Sequence, residues 1–78
     1  MKAKIYVTLK EAVLDPQGKA VQHALGALGF GEVQNVRVGK YIELTLSQNS
    51  KERVKEMCEK LLANTVIESY RFEIEKEK

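Results

Sequence analysis

Residues 2–19 read KAKIYVTLKEAVLDPQGK, and the hydrophobic period changes partway through them. From Lys2 to Lys10 the chain alternates. Ala3, Ile5, Val7 and Leu9 take one face, and Lys2, Lys4, Tyr6, Thr8 and Lys10 take the other. That is the period of a half-buried strand. Beyond LDPQGK the apolar residues recur at helical spacing: Val21, Leu25 and Leu28 fall at i, i+4 and i+7, beside Ala20, Ala24 and Ala27. The spacing predicts an amphipathic helix from Gln17 to about Leu28, ended by Gly29 and Gly31. The junction supplies its own start signal. Asp15 is an N-cap whose carboxylate accepts from the N–H of Gly18 or Gln17, and Pro16 fits the first helical position. A phosphate cradle is the competing reading, but only one glycine is present and Lys19 is followed by Ala20 rather than Ser or Thr. Asp15 would also set a negative charge where the helix dipole receives an anion.

The same two periods recur downstream. Val33 to Val38 reads as a second strand, Gly39-Lys40 as a turn, and Tyr41 to Ser47 as a third strand with Ile42, Leu44 and Leu46 inward. A hairpin is expected there. Ser50 then caps a second helix whose stripe is Val54, Met57, Cys58, Leu61 and Leu62, with Asn64 as a left-handed stop. Val66 to Ile74 is the fourth strand, with Tyr70, Phe72 and Ile74 on one face. The order β-α-β-β-α-β predicts an α+β, ferredoxin-like domain: a four-stranded antiparallel sheet, first and third strands central, with two helices on one face. The opposite face then displays Tyr6, Thr8, Tyr41, Glu43 and Thr45, and Tyr6, Tyr41 and Glu43 are the candidates for self-association through it.

With 78 residues the chain is a single domain, 1–78, whose mixed-sign tail 75–78 is expected to fray. A domain this small buries only about 60% of its unfolded surface and gains from a partner. The lone cysteine forms no internal disulfide, and Lys2 and Lys4 interrupt any early apolar run, so neither a signal peptide nor a membrane span is predicted and a cytoplasmic location is expected. A net charge of +2, from 13 basic and 11 acidic residues, gives no pull toward nucleic acid. An RNA-binding sheet needs several aromatics on its central strands; here Tyr41 stands nearly alone and Glu43 repels phosphate.

Catalytic chemistry is equally sparse. One His and one Cys cannot supply the three or four ligands of a zinc site. His23 borders the alanine edge of the first helix, and Cys58 lies within an apolar stripe as a buried thiol. Glu52, Glu56 and Glu59 alternate with Lys51, Lys55 and Lys60 as solvated pairs. No catalytic, cofactor-binding or metal-binding set is predicted.

The runs VTLKEAVLDPQGKAVQHAL, LGF, VQNVRVGKYIEL and VKEMCEKLLANTVIESY, at these spacings, closely resemble the PurS subunits of phosphoribosylformylglycinamidine synthase, from Lys4 to about Glu73. The resemblance implies a noncatalytic small subunit in de novo purine synthesis. It would help to join an ATP- and magnesium-using synthetase to a glutaminase, so that ammonia passes between them. It would bind no cofactor itself and would form homodimers or homotetramers. Contacts to those partners are expected at Asp15, Pro16, Gln17 and Gly18 and at the hairpin tip, Arg37, Gly39 and Lys40, with Gln17 and Gly18 placed where another subunit's backbone comes close. The alternative is a stand-alone small-molecule sensor of ferredoxin-like fold, using the loop around Gly29 and Gly31.

Overall fold

The computed structural model describes residues 1–48 and 50–75, and in it the alternating N-terminal run becomes the central strand. β1 (Lys2–Leu9) pairs antiparallel with β2 (Gly39–Thr45) on one side and with β3 (Glu68–Glu75) on the other. The register sets Ile5 opposite Ile42 and Phe72, and Ala3 opposite Leu44 and Ile74, so every apolar position of the three strands shares one face. Onto that face packs α2 (Lys51–Met57), capped by the Ser50 hydroxyl, which accepts from the Arg53 N–H. Val54 and Cys58 join Ala3, Ile5, Val7 and Ala63 in the core, with Phe72, Ile74 and Leu62 against it.

Among the described residues the sheet has three strands, which corrects the expected four. Residues 33–38 form no regular element and pair with no strand among the described residues. Their polar groups are turned toward the first helix, α1 (Pro16–Ala27). The Val38 N–H goes to the Asp15 carboxylate, the Gln34 carbonyl accepts from the Gln22 amide, and the Val36 carbonyl lies against Gly18. A segment so engaged cannot also extend a ladder. The expected hairpin is therefore absent, and Gly39 and Lys40 lie within β2 opposite Thr8 and Val7, with Arg37 just before it. β2, expected to be central, is an edge strand.

The placement of two helices on one face is corrected as well. α1 contributes no residue to the apolar core on the sheet face, to which α2 gives Val54. The radius of gyration is 15.8 Å, against about 11.5 Å for a compact domain of this length. Extents of 47 × 32 × 14 Å describe a slab with a projecting arm. The arm ends as its glycines predict. Gly29 has φ 99°, the Phe30 N–H donates to the Leu25 carbonyl and the Gly29 N–H to the Gly26 carbonyl, a Schellman stop.

Beyond Met57 the second helix widens into a π turn, Cys58–Leu62, closed by the Ala63 N–H on the Cys58 carbonyl at 2.9 Å. The extra residue shifts the apolar stripe. Leu61, expected inward, is 83% exposed, while Leu62 and Ala63 turn toward the core. Asn64 is not left-handed. Its side chain accepts from the Val66 N–H and its carbonyl from the Ile67 and Glu68 N–H groups, so β3 begins at Glu68 rather than Val66. Of the tail expected to fray, Glu75 closes β3, and 76–78 lie outside the described residues.

Candidate subunit interfaces

Two stretches singled out separately in the sequence, 15–18 and 37–40, meet in space. Asp15 is 5% exposed, and its two carboxylate oxygens accept from Gly18 N (2.9 Å) and Val38 N (2.8 Å). Those bonds, Val38 first and then Gly18, hold its pKa below the ordinary aspartate value, and the Arg37 charge nearby acts in the same direction. The Arg37 guanidinium donates to three carbonyls at the end of β1: Lys10 (2.8 Å), Leu9 (3.1 Å) and Val13 (3.3 Å). A Cβ on Gly18 would run into the Val36 carbonyl, and one on Gly39 into the Val7 carbonyl. The backbone that comes close to Gly18 is thus the chain's own. Lys40 pairs with Glu68 at 3.6 Å. A shallow recess of about 210 Å³ lies here, lined in part by Asp15, Gln17, Lys40 and Glu68. Asp15, Gly18, Arg37 and Gly39 have intramolecular work; Pro16 and Gln17 are exposed, as is Lys40 beside Glu68.

The open sheet face carries Tyr6 opposite Tyr41 and Arg71, with ring centroids of the two tyrosines 5.2 Å apart and the Arg71 guanidinium 4.0 Å over the Tyr6 ring. The Tyr41 hydroxyl donates to Glu43 at 2.8 Å. Partial desolvation, then that bond, raises the Tyr41 pKa; the same bond, with Lys2 at 3.7 Å, lowers that of Glu43. Lys4 pairs with Glu75 at 3.0 Å and Arg71 with Glu73 at 3.1 Å, so this face is an ion-paired lattice around an aromatic and cationic row. Tyr6, Tyr41 and Glu43 are brought together as the alternation implied. Arg71 was missed, although the phase that puts Tyr70 and Phe72 inward puts Arg71 outward.

Apolar surface lies uncovered in two further places. On α1, Val21 is 42% and Leu28 73% exposed, with Phe30 just beyond. Beside α2 and the β2 edge, a groove of about 570 Å³ is lined by Leu44, Met57, Leu61 and Leu62 together with Arg53, Glu56 and Lys60. It continues past Leu46 and Val54. His23 is exposed on the side of α1 that carries Lys19 and Gly26. Gly29 serves the helix stop, and a Cβ at Gly31 would meet open space. Among the described residues no three of His, Cys, Asp and Glu come together as a metal site, and no helix is long and apolar enough to cross a membrane.

Comparison with known proteins gives one consistent answer. The family described as "PurS: Phosphoribosylformylglycinamidine (FGAM) synthase" matches residues 2–76. The phosphoribosylformylglycinamidine synthase subunit PurS of Bacillus subtilis is 64% identical over 77 residues, covering 95% of this chain and 92% of that protein. The crystal structure of PurS from Methanocaldococcus jannaschii, one of the subunits of formylglycinamide ribonucleotide amidotransferase, superposes with a TM-score of 0.89 at 44% identity. It covers 99% of this chain and 98% of that one. A chain in the structure of PurLQS from Thermotoga maritima superposes with a TM-score of 0.80 at 34% identity, covering 92% and 93% of the two chains.

Proposed function

The chain belongs to the PurS family, the small subunits of phosphoribosylformylglycinamidine synthase in purine biosynthesis, and we propose that it acts there by holding synthetase and glutaminase in register. Its partners are PurL and PurQ, the subunits that accompany the Thermotoga chain. That likeness to a chain within the three-part assembly is the observation that carries the reading. The chain self-associates as a homodimer or homotetramer and works in the cytoplasm.

The role is positional. Glutamine hydrolysis releases ammonia, which in bulk water takes up a proton and stops being a nucleophile. Keeping the two active sites in fixed relation delivers it before that happens. ATP and magnesium are used by the synthetase, with no cofactor held by this chain. Pro16, Gln17 and Lys40, standing out from the rigid junction, are the contacts offered to the larger subunits. The buried bonds of Asp15 and the carbonyl bonds of Arg37 hold them in place.

Reconstitution tests this. Purified synthetase and glutaminase subunits are mixed with formylglycinamide ribonucleotide, ATP, magnesium and glutamine, with and without this chain. A single assembly on gel filtration and glutamine-dependent turnover only when the chain is present are expected. Equal glutamine-dependent turnover in its absence refutes the reading.

A further inference from the structure

Two charges stand where the strand patterns call for apolar side chains. Lys40 is in phase with Ile42 and Leu44 on β2, and Glu68 with Tyr70 and Phe72 on β3. The register puts Lys40 opposite Val7 and Glu68 opposite Leu9, so the two flank β1 on its apolar side. Their pair is loose, at 3.6 Å with the Lys40 side chain 58% exposed, and such pairs add little stability. Glu68 is nonetheless held in place. Its side chain is 15% exposed, and the oxygen that does not face Lys40 accepts from the Asn64 N–H at 2.6 Å.

What the pair does build is a recess. Apolar Val7, Leu9 and Val38 line it together with polar Gln17, Lys40 and Glu68, around about 210 Å³. That is below the range of about 300–1,000 Å³ that holds a drug-sized ligand, and it suits a single side chain. The charges cancel: Lys40 stands against Glu68, and Asp15, bonded by two backbone N–H groups, against the nearby Arg37. A charged occupant of either sign would meet a like charge as well as an opposite one. A neutral group that both donates and accepts is matched on both counts, by the Glu68 carboxylate and the Lys40 ammonium, with the Gln17 amide able to do either.

We propose that this recess is a socket for one carboxamide side chain, an asparagine or a glutamine, carried by a larger subunit of the synthase. The amide N–H donates to Glu68, its carbonyl accepts from Lys40, and its aliphatic stem lies against Leu9 and Val38. Seating it draws Lys40 from a weak pair and leaves Glu68 its Asn64 bond, so neither charge is stranded. The inference rests on the assembly role proposed above and gives one of its contacts a stated chemistry.

The test is the direction in which two charge-removing substitutions, Lys40→Met and Glu68→Gln, move the affinity. Circular dichroism checks that each variant is folded. Sedimentation velocity titrations against the purified synthetase and glutaminase subunits, with ATP, magnesium and glutamine, read the affinity. A carboxamide occupant predicts that each variant assembles about three- to tenfold more weakly than the parent, the effect of one lost hydrogen bond. A carboxylate occupant predicts opposite directions, weaker with Lys40→Met and tighter with Glu68→Gln, and a cation predicts the reverse; either pattern overturns the proposal. Parental affinity in both variants also overturns it, while leaving the assembly role standing. A parent chain that joins no complex removes that role itself, a separate failure. Should Glu68→Gln misfold, Lys40→Met alone decides. A loss of affinity that is equal at low and high salt supports the carboxamide, whereas a loss that shrinks as salt rises, or no loss, overturns it.

Discussion

Two alanine substitutions in the same helix should act in opposite directions. Gly18 and Gly26 both lie in α1 with ordinary negative φ, so helix propensity treats them alike. Gly26 has open space where a Cβ would go, on the exposed side of the arm. Gly26→Ala should therefore gain about 0.5–1 kcal/mol from reduced unfolded-state freedom. With about 4–8 °C per kcal/mol for a domain of this size, the midpoint rises by about 2–8 °C. At Gly18 the same Cβ would sit inside the Val36 carbonyl, 2.9 Å from Asp15 Oδ2 and 3.0 Å from Asp15 Cγ. The neighbours are backbone and a twice-bonded carboxylate, neither of which can rotate aside. Overpacking of this kind costs about 1–3 kcal/mol, which outweighs the propensity gain. Gly18→Ala should be less stable by about 1–2 kcal/mol, a fall of about 4–16 °C. Thermal and urea unfolding followed by circular dichroism, at one protein concentration because association raises the midpoint, compares the pair. If Gly18→Ala is stabilised as Gly26→Ala is, the close approach of α1 to residues 33–38 is refuted, and with it the fixed direction of the arm.

Two further expectations rest on the same junction. Asp15 has a depressed pKa in the folded chain, so its contribution is present above the unfolded aspartate value near 4 and is lost as pH falls through the lower, folded value. Asp15→Asn should be less stable than the parent at pH 7 and converge with it in acid; urea midpoints at pH 7 and below pH 3 check this, and a constant gap would contradict it. Arg37→Lys keeps the charge but cannot reach three carbonyls from one planar group. A loss of about 1 kcal/mol in urea unfolding is expected, and no change would mean the carbonyl bonds add nothing in solution.

What the sequence disclosed was local, and what it hid was pairing. The alternation of β1, the Asp15-Pro16 start and the Ser50 cap all depend on neighbours within four residues, and each appears where it was expected. Residues 33–38 have an apolar phase that suits a strand, but phase says only that a segment is extended, not what it lies beside. Their partner is a helix, reached through Asp15 and Gln22. Gly18 was legible as an anomaly, a poor helix residue in a first turn, and its cause is a carbonyl 18 positions away. In the second helix, Val54 and Cys58 fit a 3.6-residue period and are buried, but a π turn adds a residue that no fixed period can anticipate, and Leu61 is turned outward. At the candidate interfaces, residue types on each face were readable, while the uncovered groove was not, because it exists only where an expected helix is missing.

The central position of β1 also bears on the order in which the molecule comes together during synthesis. Its partners are the middle of the chain and the far end, with Leu9 opposite Glu68 and Lys2 opposite Glu75. At about 5–20 residues per second, β1 waits roughly 3–13 s after it is made for the whole of its second partner to be translated. In that interval α1 can form, and once residue 45 is made β1 can pair with β2. A nascent chain therefore carries its central strand with both edges open until β2 is made, and with one edge open until β3 follows. Slowing translation between residues 46 and 67 should lengthen that exposure without changing the final fold, placing the hazard for misassembly in the making of the chain rather than in the finished subunit.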